Sequence, residues 1–372
     1  MAEFTNISLS RGAPSLDIIA VEELRAAAQE AFQRDPGGML AYGTSAGYPR
    51  LLEWLSKKHG VEPDCLVATN GSMQADAFLF QELVEPGDVV VVEAPTYDRT
   101  LLSLTKLGAE VLAIPLEADG IDVGALEAAL DEGARPKLAH IIPNFQNPAG
   151  CTLSLDKRRR LVELARQYGF TIFEDDPYVD LRFEGEQLPT MRELDEGGDS
   201  VVYACSFSKT VAPGIRVGYL VGGKQLIGAI RKRATETYIS PNLVAQAIVA
   251  EFCDSGALDR SIVTVKEALR ARRDATCKAL DEHIPEARYV TPEGGYFLWV
   301  DLPEGIQIAE LVAAAAERGV VFEPGTAFLI EGGQSSLRLA YSAVPPDQIE
   351  EGIARIAEAY RELLRDRARA PA

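Results

Sequence analysis

The sequence predicts an α/β fold: a large domain on a mostly parallel mixed sheet flanked by helices, with a smaller α+β domain beside it. Three observations predict it. The chain has 372 residues, and at roughly 100–200 residues per domain that length suggests about two domains. Short β-branched runs alternate with longer stretches of helical period, the signature of crossover units that bury a parallel sheet between helices. From about Ser261 onward this alternation gives way to a long helical run and hairpin-like strands.

The strand candidates of the first part are VLAI near Val111, AHIIP near Ile141, FTIFED near Ile172, VVYACS near Val201 and VGYLVG near Val217. Stretches such as VGALEAALDEG and SLDKRRRLVELARQYG lie between them and repeat their apolar residues with helical spacing. In the second part, SIVTVKEALRARRDATCKALDEH precedes GGYFLWVDLP, a helix around Ile308–Arg318, SLRLAYS and a last helix from Pro346. The first forty or so residues hold a helical segment, Val21–Arg34, but no strand series, and are expected to pack with the small domain or a partner subunit. The expected division is 42–260 for the large domain, and 1–41 with 261–372 for the small one.

Composition excludes several classes. Hydrophobic residues make up 47% and charged ones 25%, a balance typical of soluble globular chains. Lys plus Arg number 37 against 56 Asp plus Glu, a net charge of −19. A nucleic-acid partner is not expected, because holding a phosphate backbone needs clustered cations. The five cysteines are scattered and form no CxxC pair, and the three histidines form no HExxH pattern. Neither a disulfide framework nor a protein-ligated metal is expected, and the histidines read as structural or surface residues. The N-terminus lacks the basic and apolar regions of a signal peptide, and no apolar run approaches the roughly 18 residues that span a bilayer. A cytoplasmic location is expected, with no membrane partner.

Four segments carry chemistry. In SFSKTVAPGIRVGYL, Lys209 follows an apolar run and precedes another. Burial disfavours its ammonium form, and a neutral amine is what Schiff-base chemistry with a carbonyl requires. Ser206, Ser208 and Arg216 add two hydroxyls and a guanidinium able to grip a phosphate. A buried lysine in an ion pair would read the same way. In FTIFEDDPYVDL, Asp175 and Tyr178 follow an apolar strand, where ligands collect in parallel sheets. A carboxylate there can pair with a protonated pyridine nitrogen, although a helix cap or a magnesium site fits EDDPY too. In IIPNFQNPAG, Asn147 can donate to a phenolic oxygen while the prolines fix the turn. In TNGSMQAD, backbone N–H groups at Gly71, Ser72 and Met73 would face an anion at a helix start, unless Asn and Ser serve only as caps.

Together with YGTSAGYPRLLEWL, EAPTYD, GGYFLWVDLP and SLRLAYS, these segments run in the order found in one family. The sequence resembles the class I, fold-type I pyridoxal-phosphate aminotransferases, and among them the 2-aminoadipate and kynurenine-type branch, from ISLSRGAP to SLRLAYS. The resemblance implies pyridoxal 5′-phosphate as cofactor, held by Lys209 as a Schiff base with Asp175 on the pyridine nitrogen. Asn147 and Tyr178 are implied as partners of the ring 3-oxygen, and Tyr97 as the aromatic stacked on the ring. Ser72, Met73, Ser206, Ser208 and Arg216 are implied as the phosphate cradle, completed by Tyr42 from the neighbouring subunit of a homodimer. Arg338, flanked by Leu337 and Leu339, resembles the arginine that clamps the substrate α-carboxylate.

The implied activity is ping-pong transamination between an amino acid and a 2-oxo acid. A β-eliminating lyase or a decarboxylase would share Lys209 and Asp175, and an effector-binding regulator would keep the fold without turnover. Regulators of that kind carry a DNA-binding domain ahead of the segment matching Ile7, and none is expected here. One departure concerns specificity. The branch often opens with a Gly-Leu-Pro type segment and a Phe-Pro pair, where this chain reads SRGAPSLDIIAVEEL. Arg11 stands in that stretch among small residues, and could pair with a distal substrate carboxylate, favouring glutamate and 2-oxoglutarate as one pair. It could equally bind a carboxylate of the protein.

Overall fold

The computed structural model describes residues 6–303 and 305–369. Its central sheet has eight strands, ordered Leu66–Thr69, Gly218–Val221, Val201–Ser206, Thr171–Asp175, Pro136–Ile141, Val89–Ala94, Glu110–Glu117 and Gly120–Ile121. From Val201–Ser206 to Glu110–Glu117 neighbouring strands run parallel, and Gly120–Ile121 closes that edge antiparallel. Gly218–Val221, expected among the crossover strands, is instead antiparallel to both of its neighbours. The 207–217 connection ahead of it is shorter than a helical crossover needs.

Side chains alternate across this sheet with period two. Val90, Val92, Phe173 and Val202 pack under the helices Ser72–Leu83 and Lys224–Tyr238. Val91, Ile172 and Val201 face the helices Val123–Asp131 and Leu155–Tyr168 on the other side. Each such apolar side chain, fully withdrawn from water, contributes about 1.5–3 kcal/mol. Burial on both faces explains why these strands read as continuous apolar runs.

The C-terminal part pairs Phe297–Asp301, Ser336–Ala340 and Glu323–Pro324 in a three-stranded antiparallel sheet. The helices Ala257–His283 and Pro346–Arg369 pack on one another beside it. Residues 1–41 were expected to pack with this part or with a partner subunit, and the described ones divide between the two parts of the chain. Ile7–Ser8 pairs in parallel with Val320–Val321, and Leu9 and Ile18 enter the core of the C-terminal part. The helix Val21–Arg34 packs on Leu243–Asp254 instead, with Ala27 and Ala31 in a core shared with Leu66 and Tyr219. Its apolar stripe is matched by that of Leu243–Asp254, which the sequence alone did not pair with it. Among the described residues no helix is long and apolar enough to cross a membrane.

Candidate active site at the strand ends

The parallel strands end on one rim, and a cavity of about 580 Å³ opens there, at the position that the topology of open α/β sheets favours for ligands. One wall is built for an anion. Gly218, register partner of both Thr69 and Ser206, starts its strand against the opening of the helix Ser72–Leu83. A Cβ on Gly218 would meet the backbone of Gly71 and Ser72 at 2.7 Å, so only glycine permits this approach. Gly71 has φ 89°, and a Cβ there would stand 2.2 Å from the Arg216 guanidinium. Ser206 Oγ donates to Ser208 Oγ at 2.9 Å, and Arg216 Nη1 donates to Ser208 Oγ at 3.3 Å. Arg216 itself takes a left-handed φ of 51°, uncommon for a side chain of its size. Two hydroxyls, a guanidinium and the first N–H groups of a helix thus converge on one spot, the donor set a phosphate needs.

Lys209 lies beyond this cradle. Its Nζ donates to the Gly12 carbonyl at 2.8 Å and sits near the rings of Tyr178 and Tyr296. Burial, then the charges of Arg338 and Arg216, pulls its pKa down to about 8, against the opposing pull of Asp175. Asp175 closes its strand, 5% exposed, with Oδ1 lacking a hydrogen-bond partner among the described residues. Its Oδ2 is 3.5 Å from Nε2 of His140. Burial, reinforced by the charge of Asp175, holds Asp76 well above the usual carboxylate range. Tyr97 precedes the helix Asp98–Leu107, its hydroxyl 3.6 Å from Met73 Sδ, and burial raises its pKa to about 12.

The opposite wall is built around Arg338, which is 7% exposed. Its guanidinium lies 4.4 Å from the centre of the Phe297 ring and 4.6 Å from that of Phe328. Nη1 donates to Asn147 Oδ1 at 2.9 Å and Nη2 to the Ser10 carbonyl at 2.6 Å. The planar fork is thus fixed by two bonds and two rings while its edge lines the cavity. Arg11, Arg99 and Glu323 line the outer part.

Of the thirteen residues whose side chains were expected at the site, twelve line this one cavity: Arg11, Ser72, Met73, Tyr97, Asn147, Asp175, Tyr178, Ser206, Ser208, Lys209, Arg216 and Arg338. Tyr42 does not; it is 88% exposed and stands outside the cavity of its own chain. Sequence reasoning missed Asp76, Glu323 and the place of His140. Asp76 lies one turn beyond Ser72 on the same helix face, a spacing that could have exposed it. No local pattern marks Glu323, and His140 read only as a structural or surface histidine.

Comparison with known proteins follows the same chemistry. The family model for class I and II aminotransferases matches residues 5–356. The chain belongs to that family. It is 36% identical to aromatic-amino-acid aminotransferase 1 of Thermococcus litoralis, over 96% of this chain and 89% of that protein. It is 32% identical to the 2-aminoadipate transaminase of Thermus thermophilus, over 96% and 91%. The crystal structure of α-aminoadipate aminotransferase from Thermus thermophilus, complexed with N-(5′-phosphopyridoxyl)-L-leucine, superposes with a TM-score of 0.92 at 31% identity. The match covers 97% of this chain and 93% of that one. The protein is a pyridoxal-phosphate-dependent aminotransferase of fold type I. Its residues fit the cofactor: an orphaned buried carboxylate oxygen at Asp175, a phosphate-sized set of donors, and a lysine with a weakened hold on its proton.

Proposed function

We propose that the protein works by ping-pong transamination between L-amino acids and 2-oxo acids, with glutamate and 2-oxoglutarate as one pair. The observation that carries this reading is that Lys209, Asp175, the anion cradle and Arg338 share a single cavity. In this assignment Ser72, Met73, Ser206, Ser208 and Arg216 hold the cofactor phosphate. Asp175 holds the ring nitrogen, Tyr97 covers the ring face, and Asn147 with Tyr178 bonds the ring oxygen. When bound, the cofactor supplies an electron sink for the substrate α-carbon. Arg338 grips the α-carboxylate and so fixes which bond at Cα stands next to Lys209. Lys209 Nζ, its ammonium form disfavoured by burial and two arginines, takes the Cα proton as general base and returns it on the other side of the reaction. Arg11, which forms no ion pair among the described residues, is available to a distal carboxylate. That supports glutamate as one substrate.

The same reading treats 42–260, joined by the helix Val21–Arg34, as the cofactor-binding domain and 261–372, joined by Ile7, Leu9 and Ile18, as the small domain. It also makes the enzyme a homodimer in which Tyr42, exposed on its own chain, completes the partner's cradle. The test of the reaction type is a half-reaction: the holoenzyme is mixed with a panel of amino acids, and cofactor absorbance and products are followed. Stoichiometric 2-oxo acid with conversion of the cofactor to its amine form is expected. Release of ammonia or carbon dioxide in its place would assign a lyase or a decarboxylase.

A further inference from the structure

Glu323 is a carboxylate in the substrate cavity that transamination gives no task. It stands opposite Arg338 in the antiparallel pair of Glu323–Pro324 with Ser336–Ala340, so both side chains project from the same face of that sheet. Ser10 ties the two together: its hydroxyl donates to Glu323 Oε1 and its carbonyl accepts from Arg338 Nη2. That link follows from register, because Ile7–Ser8 runs parallel to Val320–Val321 and brings Ser10 alongside Glu323. Glu323 is half-buried and forms no ion pair among the described residues. Arg11, adjoining Ser10 in the chain, is exposed and likewise unpaired among them. The outer cavity therefore presents an anion held by Ser10 beside Arg338 and an exposed cation, neither of them in an ion pair among the described residues.

We propose that Glu323 is a specificity-determining residue that sets the charge preference of the substrate pocket: it disfavours side chains bearing a second carboxylate. A diacid seated on Arg338 brings its distal carboxylate into a cavity where Glu323, pinned by Ser10, cannot turn away. Arg11 attracts that carboxylate and Glu323 opposes it, so the two residues together keep an uncharged side chain competitive with an acidic one in the same cavity. A site that must accept two different substrates in turn gains from this balance. Like charges in a partly wet cavity repel by an amount comparable to exposed pairs.

This inference rests on the aminotransferase reading, and its test separates the two. Glu323→Gln keeps the shape and the acceptor for Ser10 while removing the charge. For the holoenzyme and this variant, kcat/KM is measured with glutamate and with leucine, and the glutamate-to-leucine ratio is the readout. The ratio is expected to rise about fivefold in the variant, with an unchanged cofactor absorbance spectrum. A ratio that stays constant, because both substrates shift equally or neither shifts, or a ratio that falls, overturns the assignment to Glu323. Failure of the wild-type holoenzyme to transaminate any amino acid overturns the broader reading instead. Should the Gln variant fail to fold, Glu323→Asp withdraws the carboxylate by one methylene and is judged by the same ratio.

Discussion

The two ends of the cavity are built differently. At the inner end, Asp175, Ser206 and Ser208 are all less than 10% exposed and sit on strand ends or directly after them. Arg216, more open, is held by the Ser208 hydroxyl and by the carbonyls of Pro213 and Asn70. At the outer end, Arg11 and Arg99 are exposed and Glu323 half-buried; Arg11 stands on a loop, Arg99 in the first turn of the helix Asp98–Leu107, and Glu323 opens a two-residue strand. The inner end is built from buried groups on the sheet, which in the proposed reading position atoms for chemistry; the outer end is more exposed and in that reading tunes the substrate. In the proposed reading, reaction type and substrate preference are therefore set by different parts of the molecule.

The sharpest break in this contrast comes from the inner end. Asp175→Asn removes a charge with no change of shape, and a neutral amide cannot hold the ring-nitrogen proton. We expect the Cα proton step to slow at least about a hundredfold, with substrate binding changed far less. Single-turnover kinetics with a deuterated amino acid separates the two, and an unchanged proton-transfer rate removes Asp175 from this role.

Next in size is subunit complementation. Mixing an inactive Lys209 variant with a Tyr42 variant should restore up to about a quarter of wild-type activity, since half of the dimers are hybrids with one intact site each. Absence of recovery after verified subunit exchange would confine Tyr42 to its own chain.

At the outer end, Arg11→Ala should lower kcat/KM for glutamate about tenfold, with leucine altered less than about twofold. Equal losses for both would show that Arg11 only fastens the N-terminal segment.

The smallest expected effect concerns stability. The pKa of Lys209 is near 8 in the folded protein, below the roughly 10.4 of a free lysine. The cofactor-free fold therefore carries a penalty at pH 7 that fades as pH rises from about 8 toward the free value. Lys209→Met should stabilise the cofactor-free protein by about 1–3 kcal/mol at pH 7, less at pH 10. Denaturant titration at the two pH values checks this, and a gain that grows with pH has the wrong sign.

How much of this was legible in the sequence follows the same division. The buried strands are continuous apolar runs, and the residues ending them are polar, so Asp175, Ser206 and the Lys209 segment stand out locally. Gly71 and Gly218 matter for a contact between a helix start and a strand start far apart in the sequence, and only the three-dimensional approach shows why no side chain fits. Glu323 reaches the cavity through pairing with Arg338 and through Ser10, partners 15 and 313 positions away along the chain. Nothing in the Glu323 neighbourhood of the sequence announces either. The helix Val21–Arg34 likewise shows its apolar stripe, but which surface receives it depends on the packing of Leu243–Asp254.

The central claim is that Lys209 is the residue joined to the cofactor, and covalent mapping tests it most directly. The holoenzyme is reduced with borohydride, digested, and its peptides are sequenced by mass spectrometry. The phosphopyridoxyl group should appear on Lys209 within SFSKTVAPGIR, and Lys209→Ala should carry none. A label on any other lysine in the wild-type enzyme, or a label retained in Lys209→Ala, would contradict the account.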